Sequence, residues 1–281
     1  MKVTIAVLLT CRNRKEKTLT CLTSFFQSKE YISDSIFHVF LVDDGSTDGT
    51  RDAIRKSFPS VYIIEGDGQL FWNQGMRLAW QKALEYGRFD YFLWLNDDTI
   101  MDTNALNHLL TADKVLQGRS QLRLITAACR ATNDADVFSY GGRTDTGPVI
   151  PNGELQECRY VNGNLVLVPN NVFQKIGILS KHYTHGMGDN DYGLRCIEAG
   201  GRCFTTAEYI ATCPPNEGLP GWCNPDVPFK ERWKLLHSPK GLNIKEYNRF
   251  RKRFWGNRWF IFALKAYFRL IFPRFHTFLN K

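Results

Sequence analysis

The chain has 281 residues, of which 43% are hydrophobic and 23% charged, an ordinary composition that excludes wholesale disorder. The length suits one α/β domain with a tail, or two small domains. The net charge of +8 is unevenly distributed, because residues 229–281 carry 14 basic and 2 acidic residues while the rest is slightly acidic. A basic tail indicates an anionic partner, either a membrane or nucleic acid.

The first residues, MKVTIAVLLTCRNR, contain an apolar run that is too short for a transmembrane helix and lack a small-residue cleavage site. We therefore expect a β-strand there and a cytoplasmic protein. The eight cysteines include no C-x-x-C pair and several lie in apolar surroundings. This pattern favours buried thiols over disulfides or a zinc site.

Strand and helix patterns alternate through the first hundred residues. Helices are predicted over 16–28 and 71–86, with a short helix after the second strand that Ser46 or Thr47 would cap. Continuous apolar runs predict buried strands over 3–10, 36–44, 61–66 and 91–95. Such strands, separated by helices, predict an α/β fold with a mostly parallel sheet covered on both faces.

Polar and acidic residues follow each of these predicted strands. They are Thr10 and Arg12 after the first strand, Asp43 and Asp44 after the second, Asp67 after the third, and Asn96, Asp97 and Asp98 after the fourth. Ligands of parallel α/β sheets bind beyond the carboxyl ends of the strands. Turn composition could account for one acidic strand end but not for three, so we expect the binding site at this edge.

The pattern changes after about residue 120. A strand is predicted within 122–131, and another over 159–169 that leads into a helix over 171–176. Asp189 stands at the start of a predicted helix of about ten residues, which Gly200 and Gly201 end and a further strand follows.

Two common phosphate-binding sequence patterns are missing from the sequence. It contains neither G-x-x-x-x-G-K-[ST] nor a G-x-G-x-x-G after the first strand, which argues against a P-loop NTPase and a dinucleotide enzyme. A hard divalent cation held by carboxylates is another way to bind a diphosphate.

Five segments resemble, in order and spacing, the family 2 inverting glycosyltransferases of GT-A fold: VTIAVLLTCRNR, LVDDGSTDGT, GDGQLFWNQGMRLAW, LWLNDDT and GDNDYGLR. The resemblance covers roughly residues 2–215. The stretch SPKGL (238–242) and the aromatic, basic tail resemble the ends of bacterial members that build surface polysaccharides.

The resemblance implies a donor site made of strand-end residues. Thr10 and Arg12 would line the nucleotide pocket, Asp44 would hydrogen-bond the base, and Asp67 would lie near the base or ribose. Residues 96–98 would form the D-x-D element, with Asp98 on Mn²⁺ or Mg²⁺ and Asp97 nearer the ribose or sugar. The first position of the D-x-D element is Asp in the family, and this chain has Asn96 there.

The resemblance also implies a catalytic base. The family's E-D-x-D run reads here Gly188-Asp189-Asn190-Asp191, which puts Asp189 in the base position and leaves out the preceding Glu. A helix N-terminus favours the ionised carboxylate that a base requires. The later metal-binding His of some members is absent around residues 212–216, so the third ligand would be His185 or water.

Acceptor contacts are assigned to Asp191 and Trp222. For Asp191 the alternative is an ion pair with Arg195, one helical turn later. Trp222 lies in a Pro- and Gly-rich segment (213–228) that is either a lid or a plain linker.

The aromatic, basic tail predicts an amphipathic helix in the membrane interface. Arg251, Arg258, Lys265 and Arg269 would form one stripe, and Trp255, Trp259, Phe262, Ala266 and Leu270 another. Charges interrupt the apolar run too often for a membrane span. The alternative is a helix packed on the body or on the second subunit of a homodimer, and nucleic acid is not expected as a partner.

Together these features predict a GT-A domain over 1–228, with a nucleotide-binding half (1–120) and an acceptor half (121–228), and a helical tail over 229–281. The predicted enzyme transfers a hexosyl or deoxyhexosyl group, with inversion, from a UDP- or dTDP-sugar to a glycan or lipid-linked acceptor. Its expected role is O-antigen- or capsule-type polysaccharide synthesis at the inner face of the membrane. The alternatives are a sugar nucleotidyltransferase and a non-catalytic nucleotide-sugar-binding assembly protein.

Overall fold

The computed structural model describes residues 2–215 and 218–275. By its internal contacts the chain divides into two compact units, one comprising residues up to 181 together with 189–215, the other comprising 182–188 and the described residues after 217. The last six residues of the predicted tail, 276–281, lie outside the described part. The functional halves 1–120 and 121–228 stay a prediction.

The first unit is built on a mixed β-sheet. Its strands are β1 (Val3–Cys11), β2 (Ser35–Asp43), β3 (Val61–Glu65), β4 (Tyr91–Leu95), β5 (Ile100–Met101), β6 (Arg123–Arg130), β7 (Phe138–Tyr140), β8 (Gln156–Cys158), β9 (Leu165–Pro169) and β10 (Arg202–Thr212). The main path of the sheet runs β3–β2–β1–β4–β9–β6–β10–β5, with β7 beside β6 and β8 beside β10. Strands β3, β2, β1 and β4 are parallel, whereas β9 is antiparallel to both β4 and β6.

Helices cover both faces of this sheet. They are α1 (Lys15–Glu30), α2 (Thr50–Ser57), α3 (Phe71–Tyr86), α4 (Ala105–Leu116), α5 (Asn170–Ile176) and α6 (Gly188–Glu198). Side chains of β1 alternate between the faces, as the period of two in a strand requires. Ile5 and Val7 pack with Phe25 of α1 and Leu109 of α4, while Leu8 packs with Trp80 of α3 on the other face.

Two local predictions were wrong. The predicted strand over 159–169 is confined to Leu165–Pro169, since residues 162–164 form a turn that serves the site described below. The second helix is not capped by Ser46 or Thr47. It begins at Thr50, after Gly49 in a left-handed conformation (φ 80°), and the Thr50 N–H donates to Asp48 instead.

The second unit contains α7 (Phe229–Leu236), α8 (Ile244–Trp255) and α9 (Trp259–Ile271), with short 3₁₀ turns at Gly221–Cys223 and Gly256–Arg258. Trp222, Leu236, Ile244, Ala266 and Leu270 belong to its small core. Glu246 of α8 holds the segment that runs into α6, because its carboxylate accepts from the Thr184 backbone N–H (2.9 Å) and hydroxyl (2.6 Å).

The prediction of one continuous amphipathic tail helix was wrong. Gly256, with φ 52°, separates α8 from α9, so the predicted stripes do not run along one helix. Arg251 instead stacks over Trp255 and Phe262, with its guanidinium carbon 4.4 and 4.2 Å from the ring centres. Within residues 2–215 and 218–275, no helix is long and apolar enough to cross a membrane.

Candidate active site

The predicted strand-end residues share one edge of the sheet. The parallel register pairs Cys11 with Asp43 and Asp43 with Glu65, so β1, β2 and β3 end side by side, and β4 follows next to β1. The segments that begin at Arg12, Asp44, Gly66 and Asn96 therefore all leave the sheet at its carboxyl edge. This confirms the predicted parallel arrangement, in which ligands bind beyond that edge.

Asp44 organises the turn that follows β3. Its buried carboxylate accepts hydrogen bonds from the backbone N–H groups of Gly68 (2.8 Å), Leu70 (3.1 Å) and Phe71 (3.1 Å). Gly66 is needed there, because a Cβ at this position would lie 2.8 Å from the Asp44 Oδ1. Asp44 thus shapes the entry into α3 in addition to its predicted contact with the base.

Of the other predicted donor residues, two contact the same turn and the third contacts α3. Arg12 donates to the Gly68 carbonyl oxygen, which ties the end of β1 to the turn. Asp67 is exposed and accepts the Gln69 N–H through Oδ1 (2.8 Å). Thr10 packs against α3 at Gly75, where a Cβ would come within 2.8 Å of the Thr10 Cβ.

Asp97 and Asp98 form an acidic pair bridged by one arginine. The Arg14 Nη1 lies 2.7 Å from the Asp97 Oδ1, and its Nη2 lies 3.0 Å from the Asp98 Oδ2. Burial raises the pKa of Asp97 to about 6, against the opposing effect of Arg14 and with a further rise from Asp98. Arg14 thereby compensates part of the cost of burying two adjacent carboxylates.

The acidic pair fits a divalent cation. The Oδ2 of Asp97 is buried and accepts no hydrogen bond from any described residue, so one hard oxygen is left for a ligand. No three His, Cys, Asp or Glu side chains are grouped for metal binding in the described part of the chain. Mg²⁺ and Mn²⁺ are commonly held by one or two carboxylates together with phosphate oxygens and water, so a pair is sufficient.

Asp189 lies in the first turn of α6 and is half-buried. Its Oδ2 accepts the Gly163 N–H (3.1 Å), and its Oδ1 accepts the N–H (2.8 Å) and the side-chain amide (3.1 Å) of Asn190. Burial raises the pKa of Asp189, while each of these hydrogen bonds lowers it. A carboxyl group with a raised pKa is a stronger base once it is ionised.

The turn 162–164 connects Asp189 to the acidic pair. Gly163 contacts Asp189, and the carbonyl oxygen of its neighbour Asn164 accepts the Asn96 N–H (2.8 Å). Asn96 in turn accepts the Trp72 indole N–H through its side-chain oxygen (2.6 Å). Through this turn, two hydrogen bonds link the predicted base to Asn96, the residue that precedes the predicted metal ligands.

Residues 6–114 match the model of a protein family described as Glycosyl transferase family 2. This stretch is therefore similar to the family 2 glycosyltransferases. Six of the predicted site residues fall within this match, namely Thr10, Arg12, Asp44, Asp67, Asp97 and Asp98, whereas Asp189 lies beyond it.

Two solved structures share the fold of this chain. The mannosyltransferase PcManGT from Pyrobaculum calidifontis, in complex with GDP-Man and Mn²⁺, is 15% identical with a TM-score of 0.57, over 89% of this chain and 64% of that chain. TarS of S. aureus is 13% identical with a TM-score of 0.55, and the match covers 76% of this chain and 37% of TarS. The chain therefore spans less than two thirds of either protein. The predicted GT-A fold is confirmed, and no curated protein matches the chain.

Three predicted site residues belong to the second unit or have another partner. Asp191 is buried and its Oδ2 accepts from the Arg195 Nε (2.7 Å), which is the ion pair given above as its alternative. Trp222 belongs to the core of the second unit, and His185 is exposed in the same unit. Their acceptor and metal roles stay predictions.

The sequence interpretation missed several residues of the site. Arg14 lies in the basic run CRNRKEK, where spacing does not show which side chain reaches the acidic pair. The turn 162–164 falls within the predicted strand 159–169, although two asparagines and a glycine are typical of turns. Cys213 was also missed; its Sγ accepts from the Asn164 amide (2.9 Å) and lies 3.8 Å from the Asp98 Oδ1.

Proposed function

We propose that this protein transfers a sugar from a nucleotide-activated donor to a hydroxyl group of a glycan or lipid-linked acceptor, with inversion at the anomeric carbon. The observation that carries the proposal is the hydrogen-bonded connection between Asp189 and the acidic pair through residues 162–164. It supports a base and a diphosphate site within one compact unit.

In the proposed reaction, the acceptor hydroxyl gives its proton to Asp189 as it attacks the sugar carbon from the face opposite the leaving group. A single displacement of this kind inverts the configuration and requires no covalent nucleophile. Gly163 and Asn190 orient the carboxylate by donating to its two oxygens. Burial favours the proton transfer, because it raises the proton affinity of the carboxylate.

Asp97 and Asp98 would hold the divalent cation, Mn²⁺ or Mg²⁺. When bound, such a cation neutralises the charge that grows on the leaving diphosphate. The complex of PcManGT contains both GDP-Man and Mn²⁺, which supports a nucleotide sugar and a metal for this chain as well. Thr10, Arg12, Asp44 and Asp67 would line the nucleotide pocket, and the donor is proposed to be a UDP- or dTDP-sugar.

The proposed acceptor belongs to bacterial surface-polysaccharide synthesis, with the enzyme peripheral at the inner face of the membrane. The basic, aromatic second unit supports this location, since lipid-linked acceptors and anionic headgroups lie at the same surface. Asp191 and Trp222 remain candidates for acceptor contacts, and His185 for a third metal ligand.

The test replaces Asp189 by Asn, which keeps the shape of the side chain and removes the base. Wild-type protein, Mn²⁺ and a panel of nucleotide sugars are incubated with a bacterial lipid extract, and nucleoside diphosphate release is measured. We expect release to fall at least about a hundredfold in Asp189→Asn, the usual contribution of a general base. Donor binding, measured by thermal shift, should be retained.

The matched control is Asp34→Asn, because Asp34 lies just before β2 at the opposite edge of the sheet. This variant should release nucleoside diphosphate at the wild-type rate. Unchanged turnover in Asp189→Asn would remove Asp189 as the base. A wild-type protein that binds nucleotide sugars and never turns them over would favour the non-catalytic binding protein.

A further inference from the structure

Helix α9 presents an apolar side that described residues leave uncovered. Seven large hydrophobic residues of this region have more than a third of their surface exposed, and Leu264, at 65%, is the most exposed of them. These residues are Phe260, Ile261, Leu264, Phe268, Ile271, Phe272 and Phe275. Spacings of three and four residues place the five that lie within Trp259–Ile271 along one side of the helix, which we call the outer face of α9. Phe272 and Phe275 follow the end of the helix.

The opposite side of α9 is the one that packs. Ala263, Ala266 and Leu270 are buried, and the last two belong to the core with Leu236 and Ile244. Ala266 and Leu270 belong to the second predicted stripe of the tail, and both are buried in this core, as the alternative of a packed helix implies. The helix is therefore apolar on two sides. One side packs in the core of the second unit, and the outer face is exposed.

Cations lie beside the outer face. Lys265 follows Leu264 directly, about 100° further around the helix, and Arg258 stands seven residues earlier on the same flank; both are exposed. They are part of a segment, 229–281, that carries 14 basic and 2 acidic residues. Phe and Leu on one face with Lys and Arg beside it are typical of helices that lie in the plane of an anionic membrane surface.

A second copy of the chain fits the outer face less well. Pairing two copies through α9 would bring two strongly basic segments together, and like charges repel. An anionic lipid surface instead accepts the apolar side chains and neutralises the flanking cations.

We propose that the outer face of α9 inserts at the headgroup–acyl boundary of an anionic membrane, with Arg258 and Lys265 at the level of the lipid phosphates. This deepens the peripheral location proposed above by naming the contact surface. Membrane binding does not require sugar transfer, so failure of one proposal is distinguishable from failure of the other.

The first experiment measures co-sedimentation of the full chain with vesicles of phosphatidylcholine, with and without phosphatidylglycerol. We expect binding mainly to the vesicles that contain phosphatidylglycerol. The double variant Leu264→Glu/Phe268→Glu should lower the partition coefficient at least tenfold, and Arg258→Gln/Lys265→Gln should lower it several-fold on anionic vesicles. Val115→Glu is the matched control, since Val115 is 52% exposed on α4, and should bind like wild type.

A second experiment observes the outer face directly. All eight cysteines are free and buried, so an environment-sensitive dye can be placed selectively on Leu264→Cys or, as a control, on Val115→Cys. Anionic vesicles should increase and blue-shift the emission at position 264 only. Unchanged emission at 264, or wild-type sedimentation of Leu264→Glu/Phe268→Glu, would overturn the proposal. So would a change from dimer to monomer in that variant with vesicle binding intact, which would make the face a contact between copies.

Discussion

Two carboxylates at a strand end are stable only when something offsets their mutual repulsion and their burial. Arg14 does this for Asp97 and Asp98, with one guanidinium nitrogen directed at each. The arrangement leaves the buried Oδ2 of Asp97 without a described donor, so the charge of the pair is only partly neutralised and one oxygen lacks a partner. At the residue scale, the site combines a stable fold with an oxygen that can still accept a ligand.

Replacing Arg14 by Gln should lower the free energy of unfolding by about 1–2 kcal/mol at pH 8 in metal-free buffer, because charge-assisted hydrogen bonds are lost at a partly exposed side chain. The loss should be smaller at pH 5. Because the pKa of Asp97 is raised in the folded protein, protonation of Asp97 contributes to stability. This contribution is full below the ordinary pKa of 3.8 and is lost as the pH rises through about 6. A protonated Asp97 carries no charge and therefore depends less on Arg14.

Urea unfolding at the two pH values measures this difference. Lys82→Gln is the control, since it removes an exposed ion pair with Glu85 and should change stability by no more than about 0.5 kcal/mol. Equal losses in the two variants would show that Arg14 does not stabilise the acidic pair.

The pH dependence of transfer should report on Asp189. Burial raises its pKa, so activity should fall on the acid side at a higher pH than an ordinary aspartate would give, because the base must be ionised. Asn190→Ala removes a hydrogen bond that lowers this pKa and should move the acid limb to still higher pH. A pH–rate profile of both proteins measures the shift, and an unmoved acid limb would contradict the assignment.

At the element scale, one three-residue turn decides the geometry of the site. Residues 162–164 precede β9, and they contact α6 through Asp189 and the end of β4 through Asn96. Trp72 of α3 packs directly on Gly163, which has no side chain. The turn therefore contacts α3, α6 and the end of β4. The N–H and C=O groups of a turn are not all used within a helix or sheet, so they can hydrogen-bond to elements that are distant in sequence.

Gly163→Ala should therefore perturb the site. Its Cβ would lie 2.7 Å or less from the Trp72 ring, which would have to move and give up its hydrogen bond to Asn96. We expect a loss of about 1–3 kcal/mol in the free energy of unfolding, as for overpacked cores, together with weaker donor binding.

Thermal unfolding and donor titration measure these effects. Gly118→Ala is the matched control, because a Cβ there meets nothing within 4 Å. If the two variants were equally stable and bound donor equally well, the close packing at Gly163 would not matter for the site.

At the scale of the whole molecule, the second unit uses one helix for two purposes. The inner side of α9 completes a small core, and its outer face remains apolar. A deletion of residues 249–281 would remove both, so point substitutions are needed to separate folding from membrane binding. Leu270 and Leu264 are a matched pair, since the same residue type is fully buried at one position and 65% exposed at the other.

Leu270→Ala should lower the free energy of unfolding of the second unit by about 2–5 kcal/mol, the usual cost of truncating a buried leucine. Leu264→Ala should change stability by no more than about 0.5 kcal/mol. Urea unfolding followed by circular dichroism compares the two. A larger loss in Leu264→Ala would mean that the outer face is needed for folding.

The sequence by itself determined the α/β class, the parallel direction of the first four strands and the exact bounds of β4 and α3, because apolar periodicity and strand-end acids are local signals. Tertiary structure decided that Arg14 bridges Asp97 and Asp98, that residues 162–164 are a turn, and which side of α9 is buried. Each of these depends on which partner a side chain meets after folding. Hydrophobic spacing shows that α9 has apolar sides, but only the rest of the fold determines which one is covered.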